Sequence, residues 1–195
     1  MTRLVFATHN AHKVEEVRAL LEGSGLELET LAELGFADDP PETQATFEGN
    51  ALQKARFVFE RTGRPCVADD SGIEVDALDG APGVHSKRFS ASQQADDNNR
   101  LLLEKLDGIE DRRARFRCVI AVVGPDGERT AEGRVEGAIG TAERGTGGFG
   151  YDPLFWPEET PGRTMAELSM DEKNAISHRG RAFRQLPGLV GVSGE

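Results

Sequence analysis

Ala68-Asp69-Asp70-Ser71-Gly72-Ile73-Glu74-Val75-Asp76 is the stretch around which the rest of this chain is read. Cys66, Val67 and Ala68 form a short apolar run that leads directly into two carboxylates, a hydroxyl and a glycine. A buried strand ending at a site has this form. In extended backbone the side chains of Asp69 and Asp70 point to opposite faces, so only one of them can face a common ligand. The same residues also read as an acidic turn after a strand, and the other polar clusters decide between the two.

Working back towards the N-terminus, Gly63-Arg64-Pro65 stops a helix that begins at Thr46. Phe47, Ala51, Leu52, Ala55 and Phe59 supply its apolar stripe, and Glu48 sits in the first turn where the helix dipole favours it. Asn50 and Lys54 are four apart and share a face. An acidic loop from Ala37 to Gln44 carries Glu42, and Leu26 to Leu31 reads as a weak strand. Arg3 to Ala7 is a first strand. It runs into Thr8-His9-Asn10, with Val14, Val17, Leu20 and Leu21 following at helical spacing. Asn10 is the expected N-cap. Free N–H groups at such a helix start attract anions, and Lys13 in the first turn adds a charge. A capped helix with a solvated lysine accounts for the same residues. His9 and His12 lack a third ligand at metal-binding spacing.

Working forward, a turn at Gly80–Gly83 precedes a helix over Asn98–Leu106. Ala114 to Val123 reads as a long strand, Pro125-Asp126-Gly127 as a turn, and Glu128 to Ile139 as the return strand. Gly145-Thr-Gly-Gly-Phe149-Gly150-Tyr151-Asp152-Pro153 contains the letters of a dinucleotide fingerprint, but Pro153 disfavours the helix that must follow one. These glycines are expected to let backbone approach a ligand, with Phe149 or Tyr151 offering an aromatic face. Lys173, Ser177, His178 and Arg179 then cluster in one short segment, an invitation to an anion. Gly188 to Glu195 reads as a frayed tail.

At 195 residues the chain fits one domain or two closely joined lobes, and a formal charge of −11 argues against binding nucleic acid, whose phosphates demand a basic face. Cys66 and Cys118, far apart and both in apolar runs, read as buried thiols in a reducing compartment. The chain opens without a signal-peptide pattern, and no apolar run approaches the roughly 18 residues of a membrane span. A cytoplasmic protein without membrane contact is expected.

Carboxylates suit Mg²⁺, lysines and a helix start suit a polyphosphate, and an aromatic with an arginine suits a base. A nucleoside triphosphate hydrolase uses all of them at once. The chain also resembles the inosine/xanthosine triphosphate pyrophosphatases, the Ham1-like family. The motifs that carry the likeness run in the family's order: ATHNAHK (7–13), ETQATFEGNALQKA (42–55), ADDSGIEVDALDGAPGVHSKRF (68–89), GTGGFGYDPLF (145–155) and AELSMDEKNAISHRGRA (166–182).

The resemblance implies an α/β, two-lobed mixed fold around a long, mixed central β-sheet flanked by helices. The whole chain, 1–195, would be a single domain with its active-site cleft between the lobes. It implies a homodimer and Mg²⁺-dependent cleavage of purine nucleoside triphosphates (ITP, dITP, XTP) to monophosphate and pyrophosphate. One Mg²⁺ per subunit is expected, with Mn²⁺ as a substitute. Carried onto matching positions, Thr8, His9, Asn10, Ala11, His12 and Lys13 hold the triphosphate, with Lys54 facing the phosphates. Glu42 and Asp70 bind metal, Asp70 is also the general base, and Ser71 touches substrate. Phe149, Gly150, Tyr151, Asp152, Lys173, His178 and Arg179 complete the nucleotide site. His12 stands where the family has Gly, and His85-Ser86-Lys87-Arg88 replaces the common Tyr-Ser-Ala-Arg. Structurally related Maf-like enzymes, which act on modified pyrimidine nucleotides, and a binding module without hydrolysis are the alternatives. Retention of Glu42 and Asp70 weighs against the latter.

Overall fold

The computed structural model describes residues 2–191. Its strands are β1 (Thr2–Phe6), β2 (Leu26–Thr30), β3 (Cys66–Val75), β4 (Arg113–Gly124), β5 (Gly127–Ile139) and β6 (Phe155–Pro157). They form one sheet in the order β2-β1-β3-β4-β5-β6. β1 runs parallel to β2 (Thr2 opposite Leu26) and to β3 (Val5 opposite Cys66), while β5 and β6 are antiparallel. The sheet is therefore mixed, as expected. The helices are α1 (Ala11–Leu20), α2 (Phe47–Thr62), α3 (Ala95–Lys105), α4 (Met170–Ile176), α5 (His178–Phe183) and α6 (Leu186–Leu189). Among the described residues no helix is long and apolar enough to cross a membrane.

The chain divides into two compact units. The first holds residues 2–70, 118–133 and 179–191, and the second 71–117 and 134–178. In the first, Leu4 and Phe6 of β1, Val67 of β3, and Cys118, Ile120 and Val122 of β4 pack with Val17 of α1, Ala182 and Phe183 of α5 and Leu186 of α6. Phe6 and Phe183 meet edge to face, ring centroids 5.5 Å apart. In the second, Ile73, Val75, Phe116, Val135 and Ile139 of the strands pack with Leu102 of α3, Tyr151, Leu154 and Met165.

The burial pattern of β4 shows why one strand serves both cores. From Arg113 to Arg117 buried and accessible residues alternate, the mark of a strand covered on one face. From Cys118 to Val123 every residue is buried, the mark of a strand covered on both. The change falls at Cys118, where the chain passes from the second unit to the first.

Three expectations need correction, and one short strand was not foreseen. β3 does not end at Asp69-Asp70 but continues to Val75, because Ile73 and Val75 supply a further buried stretch. The buried stripe of α2 uses Val58 in place of Leu52 and Phe59, and it includes the polar pair Asn50 and Lys54. Phe155–Pro157, too short to show a period, adds an edge strand through its pairing with Gly137–Ile139. The expected frayed tail from Gly188 is helical at Gly188 and Leu189, and its residues 192–195 lie outside the described residues.

Candidate active site

Two clusters of polar side chains form, one in each unit. In the first, β1 delivers the chain to Thr8, and Asn10 caps α1 by accepting the Lys13 backbone N–H through its side chain at 3.3 Å. The Asn10 N–H donates to Thr8 Oγ1 at 3.1 Å, closing a tight turn. His9 is turned to the acidic loop: Nδ1 lies 2.9 Å from Asp39 Oδ1 and Nε2 2.9 Å from the Phe36 carbonyl oxygen. The Asp39 hydrogen bond raises the His9 pKa above its ordinary value, more than burial lowers it. Ala11 and His12 are exposed on the first turn of α1. Lys13 reaches across to Asp69, Nζ to Oδ2 2.9 Å.

Asp69 and Asp70 are both extended in β3 and meet different groups, as the strand period requires. Asp70 Oδ2 accepts from Asn50 Nδ2 at 2.9 Å. Asn50 in turn accepts the Gln44 N–H at 2.8 Å, which ties the loop carrying Glu42 to α2. Lys54 Nζ lies 2.5 Å from Glu42 Oε1 and 4.0 Å from Asp70 Oδ1, so the two expected metal ligands converge on one ammonium. Burial pushes the Asp70 pKa up, Lys54 pulls it down and Glu42 adds to the rise; the net direction is upward. For Lys54 burial opposes the charge, but Glu42, Asp69 and Asp70 outweigh it and raise its pKa. Asp69 is buried too, yet Lys13, Arg179 and Lys54 hold its carboxyl well below the usual range.

In the second unit Asp152 is the hub. Its Oδ2 accepts the Phe149 N–H at 2.9 Å and Lys173 Nζ at 2.7 Å, with both side chains of the ion pair buried. Lys173 Nζ also lies 5.0 Å from the centre of the Phe149 ring, within cation–π reach. Ser169 caps α4 with Glu172 in a reciprocal box, and this fixes the helix that presents Lys173. The His178 ring stacks on Phe116, centroids 4.8 Å apart and planes 12° apart. The Tyr151 hydroxyl donates to the Ser86 carbonyl at 2.8 Å and its ring lies in the core, so Phe149 is the more accessible aromatic. Ser71 opens the second unit and is half-buried.

Gly145, Gly147 and Gly148 of the 145–150 loop approach the chain itself, whereas a Cβ on Gly150 would meet nothing within 4 Å. A Cβ on Gly145 would stand 2.7 Å from the Ala166 backbone carbon, and one on Gly148 would stand 2.1 Å from Asp152 Oδ2. The loop is thus glycine-rich because it must fold around Asp152 and against Ala166.

The Ham1 family model matches residues 4–188. The chain belongs to the Ham1 family. A protein of Porphyromonas gingivalis named dITP/XTP pyrophosphatase is 50% identical over 190 residues, covering 95% of this chain and 96% of its own length. One of Bacillus subtilis with the same name is 46% identical, covering 97% and 98%. Among solved structures, a HAM1 protein from Coxiella burnetii superposes with a TM-score of 0.88 at 38% identity, covering 99% of this chain and 100% of its own. A nucleoside-triphosphatase / dITP/XTP pyrophosphatase from Mycobacterium abscessus gives 0.76 at 45% identity, covering 95% and 98%.

In this Ham1-family chain the structure brings Thr8, Asn10, Lys13, Glu42, Lys54, Asp70 and Arg179 into the first unit, and Ser71, Phe149–Asp152, Lys173 and His178 into the second. His178 and Arg179 are consecutive, yet they part company there. Arg179, expected beside a base, directs its guanidinium to Glu16 Oε2 at 2.7 Å and Asp69 Oδ2 at 3.5 Å. Sequence reasoning left Asn50, Glu16 and Asp69 out of the site. Asn50 carried a signal, its shared face with Lys54. Glu16, flanked by Glu15 and Val17 and with His12 and Lys13 a turn away, carried none.

Proposed function

We propose that this chain is a nucleoside triphosphate pyrophosphatase that cleaves non-canonical purine nucleotides (ITP, dITP, XTP) to the monophosphate and pyrophosphate. The relatives' names support the reaction class. The observation that carries it is the convergence of Glu42 and Asp70 on the Lys54 ammonium, at 2.5 and 4.0 Å. An ammonium held between two carboxylates marks a place built for a cation and, once a cation is there, for an anion.

Glu42 and Asp70 would hold the metal. Their hard oxygens suit Mg²⁺, with Mn²⁺ as a substitute, and Mg²⁺ commonly takes one or two carboxylates while water and phosphates fill its shell. When bound, the ion would polarise the phosphates and stabilise charge on the pyrophosphate leaving group.

Asp70 accepts the proton of the water that attacks the α-phosphorus. Asn50 fixes the orientation of its carboxylate, and a bound metal would keep it ionised and reduce its basicity. Thr8 to Lys13 and Lys54 hold the phosphates, with charge supplied at fixed positions. Ser71, Phe149–Asp152, Lys173 and His178 are assigned to the nucleoside and its nearest phosphate. Arg179 serves the phosphate end through Asp69. The protein is taken to be a cytoplasmic homodimer, as the resemblance implies.

Selection of 6-oxo purines follows from hydrogen-bond sign. Position 6 of hypoxanthine and xanthine accepts, whereas that of adenine donates. Each mismatched buried donor costs about 1–3 kcal/mol, and two give roughly 10²–10⁴-fold discrimination.

The test is hydrolysis of ITP, XTP, ATP and dUTP with Mg²⁺ in ¹⁸O-labelled water. Labelled monophosphate, unlabelled pyrophosphate and preference for ITP and XTP are expected. Orthophosphate with a diphosphate, a preference for dUTP, comparable kcat/KM for ATP, or binding without turnover would overturn the proposal.

A further inference from the structure

Neither metal binding nor proton transfer accounts for the buried charges around Asp69. Asp69 is 1% exposed, and its Oδ2 meets Lys13 Nζ at 2.9 Å and Arg179 Nη2 at 3.5 Å. Arg179, 2% exposed, donates on its other side to Glu16 Oε2 at 2.7 Å. Asp69 Oδ1 has no hydrogen-bond partner among the described residues, so Lys13 and Arg179 both converge on the other oxygen. Glu16, Arg179, Asp69 and Lys13 form a row of alternating charge that ends at Lys13. The Lys13 side chain alone of the four keeps appreciable access to solvent, at 13%.

A lysine in the first turn of a helix has four rotatable bonds, and freezing them costs conformational entropy. Its ammonium has three donors. Anchoring one of them to a rigid, buried carboxylate leaves two with a fixed direction.

We propose that Asp69 is a positioning residue for the reaction. It locks the Lys13 ammonium so that the remaining two protons meet a phosphate oxygen, and Arg179, braced by Glu16, keeps the carboxylate in place. The inference rests on the pyrophosphatase reading. It carries a kinetic signature, because Asp69 also offsets part of Lys13's attraction for the substrate. Without its charge the phosphates are attracted at least as strongly, but the ammonium is no longer aimed.

The experiment is a kinetic cycle of Asp69→Asn, Lys13→Met and the double variant with ITP, with Asp69→Glu as the conservative replacement. Asp69→Asn is expected to lower kcat at least about ten-fold while KM stays level or falls, and Asp69→Glu to recover part of the loss. In the Lys13→Met background Asp69→Asn should cost no more than about two-fold further, since Asp69 acts through Lys13. If Asp69→Asn fails to fold, ¹⁵Nζ relaxation of Lys13 in the wild-type protein decides. A rigid ammonium is expected, and one as mobile as an exposed lysine overturns the proposal. So do wild-type kcat in Asp69→Asn and additive losses in the double variant. A wild-type protein that leaves ITP uncut overturns the pyrophosphatase reading instead, and the relaxation measurement still tests the lock.

Discussion

Asp69 and Asp70 are consecutive in β3, and their surroundings displace their pKa values in opposite directions. Burial pushes both pKa values up. For Asp69, Lys13, Arg179 and Lys54 overcome that push, whereas for Asp70 the opposing pull of Lys54 is weakened by the nearby Glu42. The alternation of side chains along a strand is what gives neighbours such different surroundings. A carboxylate held low is a fixed charge, and one pushed up is a proton acceptor. Two adjacent acids can thus serve as anchor and base, a division of roles set by environment.

The Asp70→Asn variant should lose at least about 10²-fold in kcat, the scale of a missing general base. Stability should not fall with it. A folded-state pKa above the unfolded one means that ionised Asp70 costs stability above the unfolded value, so removing its charge near pH 7 removes a cost. The new side chain's oxygen can still accept from Asn50. In chelator, its melting temperature should match or exceed that of wild type. Near-normal turnover with saturating Mg²⁺ would take Asp70 out of the mechanism.

Metal should stabilise the folded protein through Glu42 and Asp70. At about 100 times its dissociation constant a ligand adds about 2.7 kcal/mol, which for a chain of this size raises the melting temperature by roughly 5–10 °C. Glu42→Gln should abolish most of that rise. Thermal melts in chelator and in Mg²⁺ make the comparison, and an equal rise in the variant would remove Glu42 from the metal site.

Two glycines of one loop should respond differently to alanine. Gly148 and Gly150 both have positive φ, +69° and +63°, so each pays the left-handed strain of about 1–2 kcal/mol. At Gly148 the new methyl would also stand 2.1 Å from Asp152 Oδ2, whereas at Gly150 it would meet nothing within 4 Å. Gly148→Ala should displace Asp152 from Lys173 and cost both stability and ITP turnover, with Gly150→Ala the milder change in melting temperature. Equal effects would show that Asp152 yields freely.

His9 should add a pH-dependent component to stability. Its hydrogen bond to Asp39 raises the folded-state pKa above the unfolded value of about 6.5. The contribution is therefore fully present below that unfolded value and is lost as pH rises through the higher folded one. His9→Gln should flatten this part of the stability–pH curve. An NMR titration placing the His9 pKa at or below 6.5 would refute the clasp between His9 and the Asp39 loop.

Much of the fold follows from local chemistry. Asn10 could be recognised as an N-cap because its side chain mimics the missing carbonyl of the preceding turn, and Thr46 plays the same part for α2. Gly63 stops α2 in a left-handed conformation, as a glycine there suggests. β4 was readable as a long run of strand-forming residues, and β5 as its return partner after the turn at Pro125-Asp126-Gly127. The three-residue β6 was not, since it owes its existence to pairing with Gly137–Ile139.

The residues proposed for the site stood out by their types and order: Glu42, Asp70, Lys13, Lys54 and the segment from Lys173 to Arg179. Their partners did not. That Asn50 holds Asp70, that Lys54 bridges two acids, that Asp69 anchors Lys13, and that Arg179 turns away from His178 towards Glu16 depend on side chains 12 to 163 residues apart. A sequence specifies local turns and periods through neighbours along the chain. Charge pairing in a buried site is decided by which groups tertiary packing strips of water together, because each must then find its counter-charge among whatever the fold has brought within reach.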